Sequence, residues 1–165
     1  GVKLHPRFGK FIYDEAIVIM IIKLASDAGL ALLLCTYCWS VSRQSTLNTP
    51  ERLMNLLIQV PECKIVLLHG GAVRLLEFME IARAFNNVLL DLSLTICKYP
   101  GSSIDNDLRF LFTRFDRRIC VGSDGPEYDS KQLRERFEFF SQGVSPEKCE
   151  NIASRNLLAF CPGVV

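Results

Sequence analysis

The chain has 165 residues, of which 49% are hydrophobic and 22% are charged. A chain of this length and composition buries a sizeable core, which excludes intrinsic disorder. Its 19 basic and 18 acidic residues give a net charge of +1 and form no basic stripe, so a nucleic-acid partner is not expected.

Cysteine content and the length of the apolar runs bear on the compartment. Seven cysteines are too few for a disulfide scaffold, and an odd number cannot all pair, so we expect reduced thiols in a cytoplasmic protein. The most apolar run, Ala16–Ile22, is too short to span a bilayer, so no membrane partner is expected. Gly1 lies where a predicted strand begins, and we expect the chain to be a fragment of a longer protein.

The first part of the chain alternates predicted strands and helices. Val2–His5 is predicted to be a strand. Ala16–Ala28 is predicted to be a buried helix from its length, although its β-branched residues also suit a strand. Leu30–Tyr37 is the second strand, and Glu51–Val60 is a helix that Thr49 could cap.

The second part of the chain continues the same alternation of short apolar runs and amphipathic segments. The predicted elements are the strand Lys64–His69, the helix Val73–Phe85, the strand Val88–Ser93, the helix Leu108–Phe115, the strand Ile119–Gly122, the helix Leu133–Phe140 and a last helix that begins at Ser145 and Pro146.

This alternation predicts an α/β fold with a parallel sheet, and the strands are apolar enough to be covered on both faces. An open doubly wound sheet and part of a (β/α)8 barrel both fit. A complete barrel takes about 250 residues, so five units would be about five-eighths of one. No repeat or Gly/Ser linker interrupts the chain, so we expect one domain over residues 1–165.

Polar residues gather at the carboxyl ends of the predicted strands, where ligands bind in both architectures. Side chains two residues apart share a face of a strand, so Lys3 points with His5 and Asp91 points with Ser93. Such groups around one enclosed rim need a partner, a metal or a polar substrate. The candidate site residues on this basis are Lys3, His5, His69, Asp91 and Asp124.

Each signal also has a structural explanation when it is taken alone. Asp124 could brace the Gly-Pro turn that follows it, and Gly70 with Gly71 could serve only a tight turn. Cys35 and Cys38 have the spacing of a redox motif, but they end a strand instead of opening a helix, which disfavours that role. The site hypothesis rests on the polar residues as a group.

The strand endings resemble a known family. The segments GVKLHP, IVLLHGG, NVLLDLS, RICVGSDGPEY and ENIASRNLLAF are similar, in this order, to the carboxyl-terminal part of the amidohydrolase superfamily. They look most like its amidohydrolase-related branch of metal-dependent (β/α)8-barrel hydrolases and decarboxylases. The resemblance covers nearly all of the chain and implies a partial (β/α)8 barrel of about five βα units whose amino-terminal strands are absent.

The resemblance also implies a divalent metal, commonly zinc, at the carboxyl end of the barrel. His69 matches the sixth-strand ligand, and Asp124 matches the eighth-strand ligand, which also serves as catalytic base. Lys3 and His5 match a strand ending near the substrate. The family's His-x-His pair is absent from the chain.

Two further candidates follow from the same resemblance. Cys35 stands where the fifth-strand histidine is expected, and its thiolate is a further candidate ligand. Asp91 would face the substrate from inside the barrel on the seventh strand.

The implied function is hydrolysis of an amide, ester or lactone of a small molecule by a metal-bound hydroxide, with Asp124 as the base. Two alternatives stay open: a catalytically silent fragment that binds a ligand or a partner, and a decarboxylase on the same scaffold. The loops Trp39–Asn48 and Leu94–Asp107 are expected to shape the pocket. The unpaired edge strands of a truncated barrel favour a homo-oligomer.

Overall fold

A computed structural model of the protein describes residues 1–39 and 46–161. Five strands form one sheet in chain order, and each neighbouring pair is parallel. A doubly wound sheet reverses its strand order at a switch point, whereas a sequential order is that of a barrel. The strands are β1 (Val2–Leu4), β2 (Leu32–Cys35), β3 (Ile65–Leu68), β4 (Val88–Asp91) and β5 (Ile119–Cys120).

Helices lie in each connection between the strands and after β5. Within the described residues they are α1 (Pro6–Gly9), α2 (Ala16–Asp27), α3 (Pro50–Gln59), α4 (Leu75–Ala84), α5 (Thr95–Lys98), α6 (Ile104–Arg114), α7 (Ser130–Ser141), α8 (Pro146–Glu150) and α9 (Asn156–Phe160). A π-helical turn, Asn151–Arg155, joins α8 to α9. None of the helices in the described ranges has the length and apolar character needed to cross a membrane.

Alternate strand residues pack on opposite faces of the sheet, as the two-residue period of a strand requires. Leu32 and Leu34 belong to the large cluster that the sheet forms with the helices, which includes Phe78 and Phe112. On the other face, a smaller cluster that includes Val66 packs against residues of α9 and the residue that follows it. Both faces are therefore covered, which confirms the expectation from the apolar strands.

The predicted elements are all present, and the differences are in their bounds. Ala16–Ala28 is a helix, and the Thr49 hydroxyl caps α3 by accepting a hydrogen bond from Arg52 N at 3.4 Å. The prediction missed the four-residue helices α1 and α5, which are too short for a periodic pattern.

Each strand also ends one or two residues earlier than predicted, although Lys3 and Asp91 still lie within β1 and β4. His69 begins a 3₁₀ turn, and Ser93 lies two residues beyond β4. Residues 40–45 of the predicted pocket loop Trp39–Asn48 lie outside the described residues.

Candidate active site

The backbone is unusual where β3, β4 and β5 end. His69, Ala72, Leu94 and Asp124 adopt φ angles of 70°, 55°, 63° and 61°. A residue other than glycine in this left-handed region costs about 1–3 kcal/mol and persists only where the surrounding structure enforces it. Strain of this kind clusters at functional sites. The strained residues therefore make the carboxyl end of the sheet the candidate functional site.

The turn after β3 fixes the position of His69. Gly70 and Gly71 have φ angles of 54° and 74°, and a Cβ on Gly71 would lie 2.2 Å from the ring of Phe78. The Thr36 hydroxyl accepts a hydrogen bond from Gly71 N at 2.8 Å, and the Thr95 hydroxyl donates to His69 O at 2.6 Å. The two glycines therefore serve the tight turn, and the turn in turn holds the histidine.

The His69 side chain is buried and held through Nδ1. This nitrogen lies 3.2 Å from both the carbonyl oxygen and the hydroxyl of Ser93, and 4.0 Å from Asp124 Oδ2. A carbonyl oxygen only accepts, so the Ser93 carbonyl favours a proton on Nδ1 and leaves Nε2 unprotonated. Burial lowers the pKa of His69 although Asp124 and Asp91 oppose this, which favours the neutral imidazole.

Asp91 supports this histidine from beneath. Its carboxylate is buried and accepts a hydrogen bond from the Ser93 hydroxyl, while the Cys120 thiol lies 3.9 Å from the other carboxylate oxygen. Burial raises the pKa of Asp91, against the lowering effect of the Ser93 hydrogen bond and of His69. Asp91 and Ser93 therefore share a face as the alternation predicted, and they form a chain that ends at the imidazole.

Asp124 differs from Asp91 in its access to solvent. Its side chain is 27% exposed, whereas that of His69 is 3% exposed, so solvent reaches the carboxylate near Nδ1 but hardly reaches the imidazole. A carboxylate that water can reach and that is fixed beside a buried imidazole can accept a proton from a reacting water. The geometry thus brings together His69 and Asp124, as expected, with Asp91 and Ser93 behind them.

Lys3 and His5 lie at the carboxyl end of β1, at the same pole of the sheet. The pKa of His5 is lowered to about 4, first by burial and then by the charges of Arg7, Lys3 and His69. These electrostatic effects mean that the end of β1 lies within charge range of His69. Arg7, which the sequence reasoning missed, lies with its Nη2 3.4 Å from His5 Nε2.

A complete zinc site is not formed by the described residues. Catalytic zinc takes three protein ligands, and the part of the chain that the structure describes contains no group of three or more His, Cys, Asp or Glu side chains placed to hold a metal. The Cys35 thiol is buried, and burial raises its pKa, which disfavours the thiolate that zinc requires. His69 and Asp124 are the two candidate ligands that stand together.

The structure also reveals aromatic neighbours of the site. The Tyr37 ring meets the His69 ring edge-on, with 6.5 Å between the centroids, and its centroid lies 4.7 Å from the guanidinium carbon of Arg7 and 5.7 Å from Lys98 Nζ. Tyr37 stands between the two cysteines of CTYC, and Lys98 is the last residue of α5, within the predicted pocket loop. No spacing rule in the sequence connects these two positions.

A separate cavity of about 80 Å³ lies beside the ends of β2 and β3. Its lining includes Thr36, Trp39, Gly71 and Arg74. None of the predicted site residues is among the described residues that line it, so this cavity is a neighbour of the site and not the site itself.

Comparison with known proteins gives fold-level similarity. No protein-family model and no curated protein matches the chain. An uncharacterized TIM-barrel protein from Bordetella bronchiseptica has a similar structure, with a TM-score of 0.77 and 19% identity over 98% of this chain and 57% of that protein. A Pseudomonas putida protein named "Putative 2-Pyrone-4,6-Dicarboxylic Acid Hydrolase" has a TM-score of 0.63 and 17% identity over 100% of this chain and 64% of that one.

These similarities show the fold and not the activity, because both identities are low. The chain spans less than two thirds of either structure, and its sequential parallel strands fit an arc of their barrel. The class that the fold and site define is therefore an α/β protein of partial TIM-barrel architecture with polar residues at the carboxyl pole.

Proposed function

We propose that the chain is the carboxyl-terminal part of an amidohydrolase-type hydrolase that acts on a carbonyl group of a small molecule. The observation that carries this proposal is the pairing of a buried imidazole, His69, with the solvent-accessible carboxylate of Asp124 at the strained pole of the parallel sheet. The resemblance of the strand endings supports it, as does the hydrolase name of the Pseudomonas protein.

In this proposal Asp124 is the base. It accepts a proton from water while the water oxygen attacks the carbonyl carbon of an amide, ester or lactone, and the carbonyl oxygen takes up the negative charge. When the tetrahedral intermediate collapses, the bond to the leaving group breaks and the proton passes from Asp124 to that group. Lys3 or His5 steadies the anionic part of the substrate, since both lie at the same pole.

Asp91 and Ser93 have positioning roles. The hydrogen bond from Ser93 to Asp91 fixes the Ser93 side chain, and Ser93 holds Nδ1 of His69. A fixed tautomer keeps Nε2 of the imidazole available as an acceptor or a ligand.

A divalent metal, zinc by the family resemblance, remains part of the proposal with His69 and Asp124 as two of its donors. A bound zinc ion would supply hydroxide near neutral pH by lowering the pKa of water. The described residues do not complete its coordination, so a working metal site needs donors from outside them or a rearranged Cys35.

The described residues do not supply a third ligand, which favours a second candidate, a catalytically silent domain that binds a ligand at the same pole. A decarboxylase on the same scaffold is the third candidate function. Assays of product separate the three, because hydrolysis releases an acid, decarboxylation releases carbon dioxide, and a silent domain releases neither.

The test is turnover of an activated ester, p-nitrophenyl acetate, and of an aryl lactone, dihydrocoumarin, with and without added zinc. Asp124→Asn and His69→Gln are expected to lower kcat about 10²- to 10⁴-fold, the range of general acid–base catalysis. Asp27→Asn, which removes an exposed carboxylate at the end of α2, is the matched control and should leave the rate unchanged. Retention of the full rate by Asp124→Asn would contradict the mechanism.

A further inference from the structure

Helix α2 is apolar on the side that it turns to solvent. Ile17, Met20 and Leu24 are 52%, 49% and 60% exposed, and Leu30, which follows the helix, is 43% exposed. A surface helix ordinarily carries charged and polar residues on its outer side, whereas α2 has apolar residues nearly all round. A group of exposed apolar side chains of this kind marks an interaction surface.

Helix α7, which has the same length as α2, shows the pattern of a solvated helix. Phe139 is its one exposed large apolar residue. Its other exposed positions are polar or charged and include Lys131, Arg134, Glu135 and Glu138. The outer side of α2 therefore departs from the pattern that water alone would favour.

The exposed apolar residues of α2 include some that point away from the sheet. Val18 and Ile22 are buried in the cluster between sheet and helices, and Met20, two residues from each, lies about 160° round the helix from both. Leu24 lies on the same outer side as Met20. The helices of a barrel cover the outside of the strands, so their own outer sides stay bare even in a closed ring. Further βα units would thus cover a flank of α2 and not this side.

The two charged residues of α2 lie on this side and are complementary to each other. Lys23 and Asp27 are exposed, lie about one turn apart and take part in none of the ion pairs formed within residues 1–39 and 46–161. If two copies of α2 pack antiparallel about a twofold axis at the level of Ala25, Lys23 of each copy meets Asp27 of the other. An isologous contact requires this kind of reciprocal match.

The same axis brings the apolar residues together. Leu24 lies one residue from the level of the axis, so it packs on Leu24 of the second copy. Leu30 is held at the end of the helix, where its backbone N–H donates to the Ala25 carbonyl at 2.9 Å. Met20 and Leu30 are equally far from Ala25 along the chain, so Met20 of one copy faces Leu30 of the other.

We propose that the outer face of α2 is a homodimer contact, in which two copies of this chain pack antiparallel. The residues that form it are Met20, Lys23, Leu24, Asp27 and Leu30. A helix of 12 residues offers a face about 18 Å long and about 10 Å wide, which is less than the roughly 800 Å² per partner of a stable interface. The dimer is therefore weak and depends on protein concentration.

This contact is independent of the proposed function. Helix α2 follows the carboxyl end of β1 and leads to the amino end of β2, so its second half lies towards the opposite pole of the sheet from His69. Dimerisation through this half leaves the candidate site open, and hydrolysis and dimerisation can be lost separately.

The test is sedimentation velocity of the chain over a range of concentrations, with a reductant present to exclude disulfide-linked dimers. Leu24→Glu sets two carboxylates against each other at the axis and should raise the dissociation constant by about tenfold or more. Leu76→Glu is the matched control, because Leu76 is an exposed leucine of α4 outside this face. It should leave the dissociation constant unchanged.

An exchange of charges tests the antiparallel arrangement itself. Lys23→Asp and Asp27→Lys should each raise the dissociation constant several-fold, because each variant sets like charges opposite one another. The double variant Lys23→Asp/Asp27→Lys restores opposite charges at both contacts and should recover the dimer. Circular dichroism checks that each variant keeps the native helix content.

A native chain that stays monomeric up to about 1 mM overturns the proposal without the use of any variant, because even weak specific dimers form at that concentration. Dimerisation that a folded Leu24→Glu protein retains in full also overturns it and assigns the association to the sheet edges. A folded double variant that fails to recover the dimer overturns the antiparallel contact.

Discussion

Two polar clusters of this molecule differ in backbone strain and in solvent access. This difference distinguishes a candidate functional cluster from a structural one. One is the candidate-site cluster of His69, Asp91, Ser93 and Asp124 described above. The other, here called the base cluster, consists of Asp116, Lys148, Asn151 and Asn156 at the start of β5.

The base cluster is fully paired. Asn151 donates to the Asp116 carboxylate at 2.9 Å, Lys148 Nζ lies 3.5 Å from the same carboxylate, and Asn156 donates to the carbonyls of Asp116 and Ile119 at 2.6 and 2.7 Å. None of its residues has a left-handed backbone. Its contacts fasten the last helices to the sheet, which is a structural role.

The candidate-site cluster has the opposite character. Two of its members, His69 and Asp124, have strained backbones, and one carboxylate is enclosed while the other reaches solvent. Backbone strain and the burial of a carboxylate lower the stability of a fold. Such features are typical of catalytic sites, where carboxylates in different environments have different roles. A buried polar cluster alone does not indicate a site, whereas strain together with solvent access makes this cluster the candidate.

The largest effect on stability is expected from Gly71→Ala in the turn after β3. The new Cβ would lie 2.2 Å from the Phe78 ring at a φ of +74°, so we expect a loss of about 3 kcal/mol or more in the free energy of unfolding. Gly29→Ala is the matched control, because Gly29 has a φ of +68° and no atom within 4 Å of an added Cβ. It should cost about 1 kcal/mol in urea unfolding. Equal losses would contradict the assigned packing of the turn.

The next prediction compares the effect on stability of neutralising one carboxylate from each cluster. Asp116→Asn removes the charge that pairs with Lys148 and should lower the free energy of unfolding by about 1–2 kcal/mol. Asp91→Asn should change it by less than about 0.5 kcal/mol or raise it, since the neutral amide can still accept from Ser93 and buries no charge. Chemical denaturation at pH 7.5 measures both, and the reverse order would refute the distinction between the clusters.

A smaller effect concerns His5 and pH. Its pKa is about 4 in the folded protein and about 6.5 in the unfolded chain, so between these values only the unfolded chain binds the proton. Stability therefore rises with pH from about 4 to 6.5 and is lost on acidification through that window, by on the order of 1 kcal/mol once partial exposure is allowed for.

The variant His5→Asn isolates this contribution. The free energy of unfolding should differ less between pH 4.5 and pH 7.5 in the variant than in the native chain. The charges facing His5 come from Lys3, Arg7 and His69, which stay in place. The same pH dependence in both proteins would show that His5 is not responsible.

The smallest expected effect is self-association at the sheet edges. Strands β1 and β5 each pair with one neighbour in the described sheet, and each leaves an unpaired backbone edge of three or two residues. Such short edges should associate weakly, so the mean mass from light scattering should rise with protein concentration. A constant monomer mass at high concentration would count against an edge-mediated oligomer.

Much of the fold followed from local patterns. Short apolar runs bounded by turn residues gave all five strands, and helical spacing gave the longer helices, because each depends on residues close in the chain. The strand bounds were less accurate. For example, β3 ends where the left-handed turn at His69 begins, and such a turn in a residue other than glycine gives little local signal.

The candidate site was only partly accessible from the sequence. His69 and Asp124 were predicted because they follow strands that must be parallel, and Asp91 because it ends such a strand. Parallel strands bring their carboxyl ends together. Arg7 was missed because it lies on a short helix with no periodic signal, whereas Lys98 fell within the predicted pocket loop Leu94–Asp107 but was not named as a site residue.

By itself, the sequence determined the order of strands and helices and the pole at which the polar residues collect, because both depend on apolar period and chain direction. Only the tertiary structure decided that Asp91 is enclosed while Asp124 meets solvent, and that Nδ1 of His69 faces Ser93. The reason is physical: burial and hydrogen-bond partners depend on segments far apart in the chain, whose distances are set by packing and turn geometry and not by neighbouring residues.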